Sequence, residues 1–372
     1  MNADCRAWLE IDLGAIVGNL RAIAARVAPC KLLAVVKGNA YGMGVREVSA
    51  AALESGVVGR LGVASLEEAL ELVDVPLDKQ IISAVLPEEI PEAVRRGFIL
   101  PIGDENTAAL IGAEASRQGT TARCELKIDT GMGRLGIPLG RAYEAIRRIS
   151  EIPGLEIVGM FTHFACAGTP NGDFTYGQLA GLKELAAKLR SDGIAVPNLH
   201  CAASDAIVNY PESYAPPFTM VRPGTVIYGA CFSYSPDLRL APAVAFKGRL
   251  IAIRELPPGH TVGYSRLYSL KKTSRIGVVS AGYCDGVKIP LSNRGYVILG
   301  GRLCPIVGRV SMDYTTVLLD ELPEAKIGDE AVFIGVQGNC RITVEECTAA
   351  NGTTTQDILC SFAPRVRRTY IR

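Results

Sequence analysis

The 372-residue sequence has few of the features that mark several function classes. It holds three histidines, His163, His200 and His260, too few for a histidine-rich metal centre, so no metal site is expected. Its 11 cysteines are odd in number and include no C-x-x-C pair, which argues against a disulfide framework and a structural zinc site. Most of them read as small buried hydrophobes in a reducing compartment. Apolar runs are short and broken by Gly, Pro or charge, so no segment reads as a membrane span. The N-terminal MNADCRAWLEIDL lacks the apolar core of a signal peptide. There is no Lys/Arg run, no acidic tail and no low-complexity stretch, and a net charge of +1 sets up no global field for nucleic acid. These absences predict a cytoplasmic protein, or the cytoplasmic domain of a membrane protein, with no nucleic-acid partner.

What is present is a chain with 48% hydrophobic and 21% charged residues, enough for one large domain or two ordinary ones. Strands are predicted at 31–36, 59–65, 80–85, 99–103, 123–130, 157–164, 198–204 and 220–229. Each is a largely continuous apolar run, as in parallel strands buried on both faces. Helical patterns fill the gaps. Asp12 can cap a helix whose apolar face is Ile16, Val17, Leu20, Ile23 and Val27. Ser65 with Glu68 has capping-box spacing, and Gly56 and Gly97 sit where helices should stop. The β–α order repeats about eight times, which predicts an α/β fold built on a (β/α)₈ TIM barrel over residues 8–235. A doubly wound open sheet is the alternative, disfavoured because no G-x-G-x-x-G follows an early strand. From 236 to 372 short strands alternate with Gly and Pro, predicting a mostly-β C-terminal domain. Thr343 with Glu346, then Asn351-Gly352, bracket a short helix there.

A barrel carries its active site at the C-terminal ends of its strands. The first predicted strand ends at Lys37, with Tyr41 just beyond. The fifth carries Lys127 and Asp129 on one face and leads to Arg134. The sixth ends at His163, the seventh runs from His200 to Ser204, and the eighth holds Arg222 followed by Gly224-Thr225. A lysine ending an apolar strand is costly unless paired or functional. Lys37 is therefore either half of an ion pair or a Schiff-base lysine made nucleophilic by desolvation and nearby cations. Gly224-Thr225 lies where barrels commonly bind phosphate, and Ser204 and Tyr41 add hydroxyls.

These residues sit in motifs that resemble the alanine racemase family of fold-type III pyridoxal-phosphate (PLP) enzymes. The resemblance runs from RAWLEIDLGAIVGNL to PRVRRTY, essentially end to end. Its most specific element is AVVKGNAYGMG at 34–44. With it come LKIDTGMGRLG at 126–136, GMFTHFA at 159–165, TMVRPGTVIYG at 219–229, VGYSRLY at 262–268, SAGYCDG at 280–286 and VGRVSMD at 307–313. The resemblance implies that Lys37 carries pyridoxal 5'-phosphate and acts as one catalytic base. Tyr264, from the partner subunit of a head-to-tail homodimer, is the opposed base. It also implies that Arg222 faces the pyridine nitrogen, and that Tyr41, Ser204, Gly224 and Thr225 hold the phosphate. Arg134 faces cofactor and substrate carboxylate, Lys127 is a possible carbamylated lysine, and His163 packs beside the ring. Met312 and Tyr283 contact or admit substrate, with Arg309 and Arg294 as further entry residues. His200 is either an Arg222 partner or a satisfied strand histidine.

Racemisation removes the Cα proton from one face and returns one to the other, so two opposed bases avoid turning the substrate over. Guanidinium only donates and stays charged, so Arg222 is suited to an unprotonated ring nitrogen. Two departures from the family pattern stand out. KGNAYGMG replaces the commoner KANAYGHG, and Gln356 stands where typical members carry a tyrosine. The second is similar to a serine racemase branch linked to vancomycin resistance, in which a membrane domain precedes the racemase. Alanine, supplying D-amino acid for peptidoglycan precursors, and serine are thus both candidate substrates. A non-catalytic PLP-binding barrel is the rival from another class, but such relatives lack the second domain. A decarboxylase of the same fold type should place an acid where Arg222 stands.

Overall fold

The computed structural model describes residues 5–231 and 237–372, and the chain divides into two compact units. One comprises Ile16–Ala40 and Gly44–Ala241, and the other the stretch up to Ala15, Tyr41–Met43 and Pro242–Arg372. The domain boundary expected at 235/236 lies outside the described residues.

The first unit is a closed barrel. Its strands are Lys31–Val35, Val58–Val63, Asp78–Ile81, Leu100–Ile102, Ala122–Asp129, Leu155–Phe161, Asn198–His200 and Met220–Val221. Neighbours pair in parallel around the ring. Parallel bridges Gln80–Ile99 and Ala203–Arg222 join its two arcs. Closure removes both sheet edges and excludes the open doubly wound alternative. The helices between strands bury one stripe each. Leu139–Ser150 hides Ala142, Ala145, Ile146 and Ile149 at helical spacing. Asp12 Oδ1 accepts the Ala15 N–H at 2.8 Å, and the helix behind it buries Ile16, Val17, Leu20, Ile23 and Val27, as expected. Ser65 caps Glu68 N–H at 3.4 Å, but the Glu68 carboxylate reaches past the cap to the N–H groups of Ala64 and Gly38, both at 2.7 Å.

The last expected strand is the clearest departure. Met220–Val221 is extended, but Thr225–Tyr228 is a 3-10 turn closed by Gly229 at φ 68°. The β-branched and aromatic string TVIY reads as strand. The turn wins because the Ile227 and Gly229 N–H groups bond back to Gly224 and Val226. The expected strand 198–204 also ends early, at His200, and Ser204 opens a helix to Asn209.

The second unit is mostly β, with a nine-stranded sheet. Val244–Leu256 is its long central strand, flanked by Ala7–Asp12, Ser274–Val279 and Glu330–Gln337. Ala7–Asp12 pairs in parallel with Arg367–Ile371. The chain's first strand, counted with the barrel on sequence grounds, is thus held by the second unit. Thr343 and Glu346 form the expected capping box, and Gly352 at φ 62° ends that helix. Of the cysteines, all free, five are buried, four half-buried and two exposed, so burial is less general than expected. Among the described residues no helix is long and apolar enough to cross a membrane.

Candidate active site

Lys37 follows the first barrel strand and is half-buried. The next residues form a left-handed turn, with φ 64° at Gly38, 52° at Asn39, 53° at Ala40 and 57° at Tyr41. Left-handed geometry costs about 1–2 kcal/mol for each residue bearing a Cβ. Here it is offset by dedicated bonds. Ala40 N–H donates to Val36 O at 2.7 Å, Asn39 Oδ1 accepts Val45 N–H at 2.8 Å, and the Tyr228 hydroxyl donates to Ala40 O at 2.7 Å. Gly38 relieves one of these positions at no steric cost. Over-determined strain of this kind clusters at functional sites.

Four cations and a histidine gather in this unit. Lys127 is 7% exposed and donates to Ile82 O at 2.8 Å and Ser83 O at 2.9 Å. Burial, then the charges of Arg134, Arg222 and Lys37, pulls its pKa down to about 8. His163 is pushed down to about 3 by burial and then by Arg222, Arg134, Lys37 and Lys127. Arg134 is exposed on the GMGRLG loop, whose backbone is pinned by Asp129. One Asp129 oxygen accepts the N–H groups of Gly131, Met132 and Gly133 at 2.8–3.1 Å. Gly136 is obligatory there, at φ 117°, because a Cβ would lie 2.9 Å from Asp129 N.

Arg222 is 3% exposed. Its Nη1 donates to His200 Nδ1 at 2.7 Å, and its Nη2 donates to Thr162 O at 2.7 Å and Cys201 O at 3.1 Å, with His163 Nδ1 at 3.5 Å. Burial lowers its pKa to about 10, which still leaves it charged at neutral pH. His200 is therefore an Arg222 partner, and its ring also stacks on Phe161 at 5.1 Å. Ser204 is 7% exposed, and its Oγ accepts the N–H groups of Gly224 at 3.0 Å and Val226 at 3.4 Å. The Gly224 N–H, at the position where barrels commonly bind phosphate, is thus committed to Ser204, whose own hydroxyl proton remains to donate. Thr225 is buried beside them.

Behind Arg222 lie groups that the sequence reading passed over. Glu125, with no exposed surface, accepts from His200 Nε2 at 2.7 Å, Arg60 Nη1 at 2.6 Å and Gln80 Nε2 at 2.5 Å. The signal was there: Glu125 is a charge inside an apolar strand, on the same face as Lys127.

The remaining predicted residues belong to the β-rich unit. Tyr264 is 68% exposed, in a turn between Thr261–Val262 and Tyr268–Ser269, which pair as a hairpin. Val262, Leu270, Ile276 and Val307 form the small core beneath it. Gly263, at φ 73°, admits the Arg309 backbone, which a Cβ would meet at 2.9 Å. Tyr283 and Met312 are brought side by side. The Tyr283 N–H donates to Ser311 O at 2.9 Å and Cys284 N–H to Met312 O at 3.0 Å. Arg365 clamps both turns by pairing with Asp285 and Asp313, each at 2.7 Å. Gln356 is exposed on the helix Thr355–Leu359. Tyr41 is buried, and burial raises its phenol pKa far above the usual range.

Comparison with known proteins gives a consistent picture. Residues 11–231 match the family description "Alanine racemase, N-terminal domain", and 243–370 match "Alanine racemase, C-terminal domain". The alanine racemase of Desulfosudis oleivorans is 35% identical over 384 aligned residues, covering 99% of this chain and 97% of its own. That of Chlorobaculum tepidum is 37% identical, covering 96% and 94%. Among solved structures, alanine racemase from Streptomyces coelicolor A3(2) superimposes with a TM-score of 0.91 at 30% identity, over 100% of this chain and 99% of that one. The Bartonella henselae enzyme, described with covalently bound pyridoxal phosphate, gives 0.88 at 28% identity, over 99% and 100%.

Proposed function

Since this chain belongs to the alanine racemase family, we propose that it is a PLP-dependent racemase interconverting L- and D-alanine, with Lys37 and Tyr264 as its two bases. The observation that carries the reading is the cluster of Lys37, Lys127, Arg134 and Arg222, in which the other three cations help pull the Lys127 pKa down and all four help push down that of His163. Positive charge gathered around a partly buried site attracts an anion. A phosphorylated, phenolate-bearing cofactor and an amino-acid carboxylate have that chemistry. When bound, PLP supplies the electron sink that spreads the charge left on Cα.

The chain's own residues do the rest. Lys37 holds the cofactor and exchanges the Cα proton on one face. Tyr264, displayed at the tip of its hairpin, does so on the other face, in the site of a second subunit. Ser204, Thr225 and Tyr41 would hold the phosphate, with the Gly224 N–H orienting the Ser204 hydroxyl. Arg222 places a permanently charged donor against the ring nitrogen. Arg134 orients the substrate carboxylate, and His163, held neutral, packs beside the ring without adding charge. Lys127 meets the requirement for carbamylation, since a pKa near 8 leaves a usable fraction of free amine, and a carbamate would turn one crowded cation into an anion. Met312, Tyr283 and the exposed Gln356 contact or admit the substrate.

The test is to load the purified chain with PLP and follow L-alanine and L-serine side by side with a D-specific assay. We expect D-alanine, with serine slower, together with a cofactor absorption band that borohydride fixes to Lys37. A chain that takes up no cofactor, or takes it up and forms no D-amino acid, contradicts the reading.

A further inference from the structure

We infer that Glu125, clamped by Arg60 and Gln80, is a positioning residue that acts through His200 to hold Arg222 in place inside the barrel. The chain of contacts crosses five strands: Arg60 on the second, Gln80 on the third, Glu125 on the fifth, His200 on the seventh and Arg222 at the end of the eighth. Glu125 and His200 have no exposed surface, and the Arg60 side chain is 12% exposed.

Donor arithmetic fixes the proton. Guanidinium has no acceptor, so the 2.7 Å contact between Arg222 Nη1 and His200 Nδ1 requires an unprotonated Nδ1. Burial first, and then Arg222, lower the His200 pKa, so the ring is neutral despite Glu125. Its one proton then sits on Nε2 and is donated to Glu125 Oε2 at 2.7 Å. Burial by itself would raise the Glu125 pKa, but the hydrogen bond from His200 and the Arg60 charge lower it and keep the carboxylate ionised. An ionised carboxylate polarises the imidazole and makes Nδ1 a better acceptor for Arg222. It also supplies a buried negative charge close to a guanidinium that would otherwise have only neutral partners.

The site is built for this carboxylate. Three donors converge on its two oxygens, and a Cβ at Gly159 would lie 2.6 Å from Oε1. An amide has one oxygen and two hydrogens of its own. Glu125→Gln therefore sets a donor against a donor on at least one side.

The kinetic part of the test rests on the racemase reading; the spectroscopic part does not. With three histidines in the chain, ring-15N labelling of the holoenzyme resolves His200. We expect a neutral ring protonated on Nε2 throughout the range in which free histidine titrates. A proton on Nδ1, or ordinary titration, overturns the inference. Glu125→Gln should lower kcat by about 10–100-fold, the worth of a lost charged hydrogen bond, with a much smaller change in KM. In a His200→Ala background the same substitution should change kcat less than about two-fold, because the route to Arg222 is already cut. Fully additive effects would mean that Glu125 does not act through His200 and would also overturn the inference. Arg60→Lys keeps one ion pair and should give the same pattern at smaller amplitude if Glu125→Gln does not fold. A wild-type chain that binds cofactor but racemises nothing sinks the functional reading, and the nitrogen signals then decide this one.

Discussion

The barrel and the β-rich unit hold their candidate site residues in opposite ways. In the barrel Arg222 is 3% exposed and Lys127 7%, and each is fixed by at least two hydrogen bonds from its own unit. Their protonation is set locally, by burial for both and by neighbouring cations for Lys127. In the β-rich unit Tyr264 is 68% exposed, Met312 50% and Tyr283 41%. There it is the backbone that is fixed, by Arg365, by the close approach at Gly263 and by a small core, while the side chains stand in the open. The barrel thus presents a finished electrostatic environment. The β-rich unit presents rigidly mounted groups with exposed side chains, the arrangement that the shared site proposed above would use.

That contrast can be tested by substitution. The largest effects should come from Lys37→Ala and Tyr264→Phe, each lowering kcat by about 10³-fold or more through loss of one acid–base group. They should differ in cofactor handling. Lys37→Ala abolishes the borohydride-stable attachment of PLP, whereas Tyr264→Phe leaves it intact. Equal loss of attachment in both would erase the proposed division of labour.

His163 probes the barrel's electrostatics through pH. Its folded-state pKa is depressed from 6.5 to about 3, so as pH falls from 6.5 towards 3 the unfolded chain takes up a proton that the native ring refuses. Stability must fall over that window, and His163→Gln should flatten the fall. Urea midpoints against pH measure it, and identical slopes would contradict the buried, cation-crowded environment.

Gln356 probes the β-rich side. Gln356→Tyr should lower the serine-to-alanine ratio of kcat/KM by about 10-fold, the scale of discrimination from one small side-chain group, without altering cofactor attachment. An unchanged ratio removes Gln356 from specificity. The smallest effect is expected at Gly38. A Cβ there meets nothing within 4 Å, so Gly38→Ala should cost only the left-handed backbone penalty, about 1 kcal/mol, read as a lower thermal midpoint with kcat retained.

Much of this was legible in the sequence where periodicity and local chemistry agree. Each of the eight apolar runs supplied a barrel strand, the last two only in their first three and two residues, and Asp12, Gly56, Thr343 and Gly352 cap the helices they should. Lys127, His163 and Arg222 do lie together, and Ser204 sits beside Gly224, because a parallel barrel brings strand ends to one mouth. Non-local pairing was not legible. Nothing in AWLEID says that it will pair with residues 367–371. The turn at Thr225–Tyr228 was hidden by strand-forming residues whose backbone bonds go to Gly224 and Val226 instead. Glu125 and Arg60 went unread because single charges in apolar strands look like register noise until the barrel closes and places them 2.6 Å apart.

The central claim is that one barrel lysine and one hairpin tyrosine from different subunits make a single site. Mixing Lys37→Ala with Tyr264→Phe, dissociating the mixture and letting it reassociate tests it directly. If the site is shared, half of the dimers are mixed and each has one intact site, so about a quarter of wild-type activity should return. If both bases come from the same subunit, no pairing restores a complete site and the mixture stays as inactive as its components.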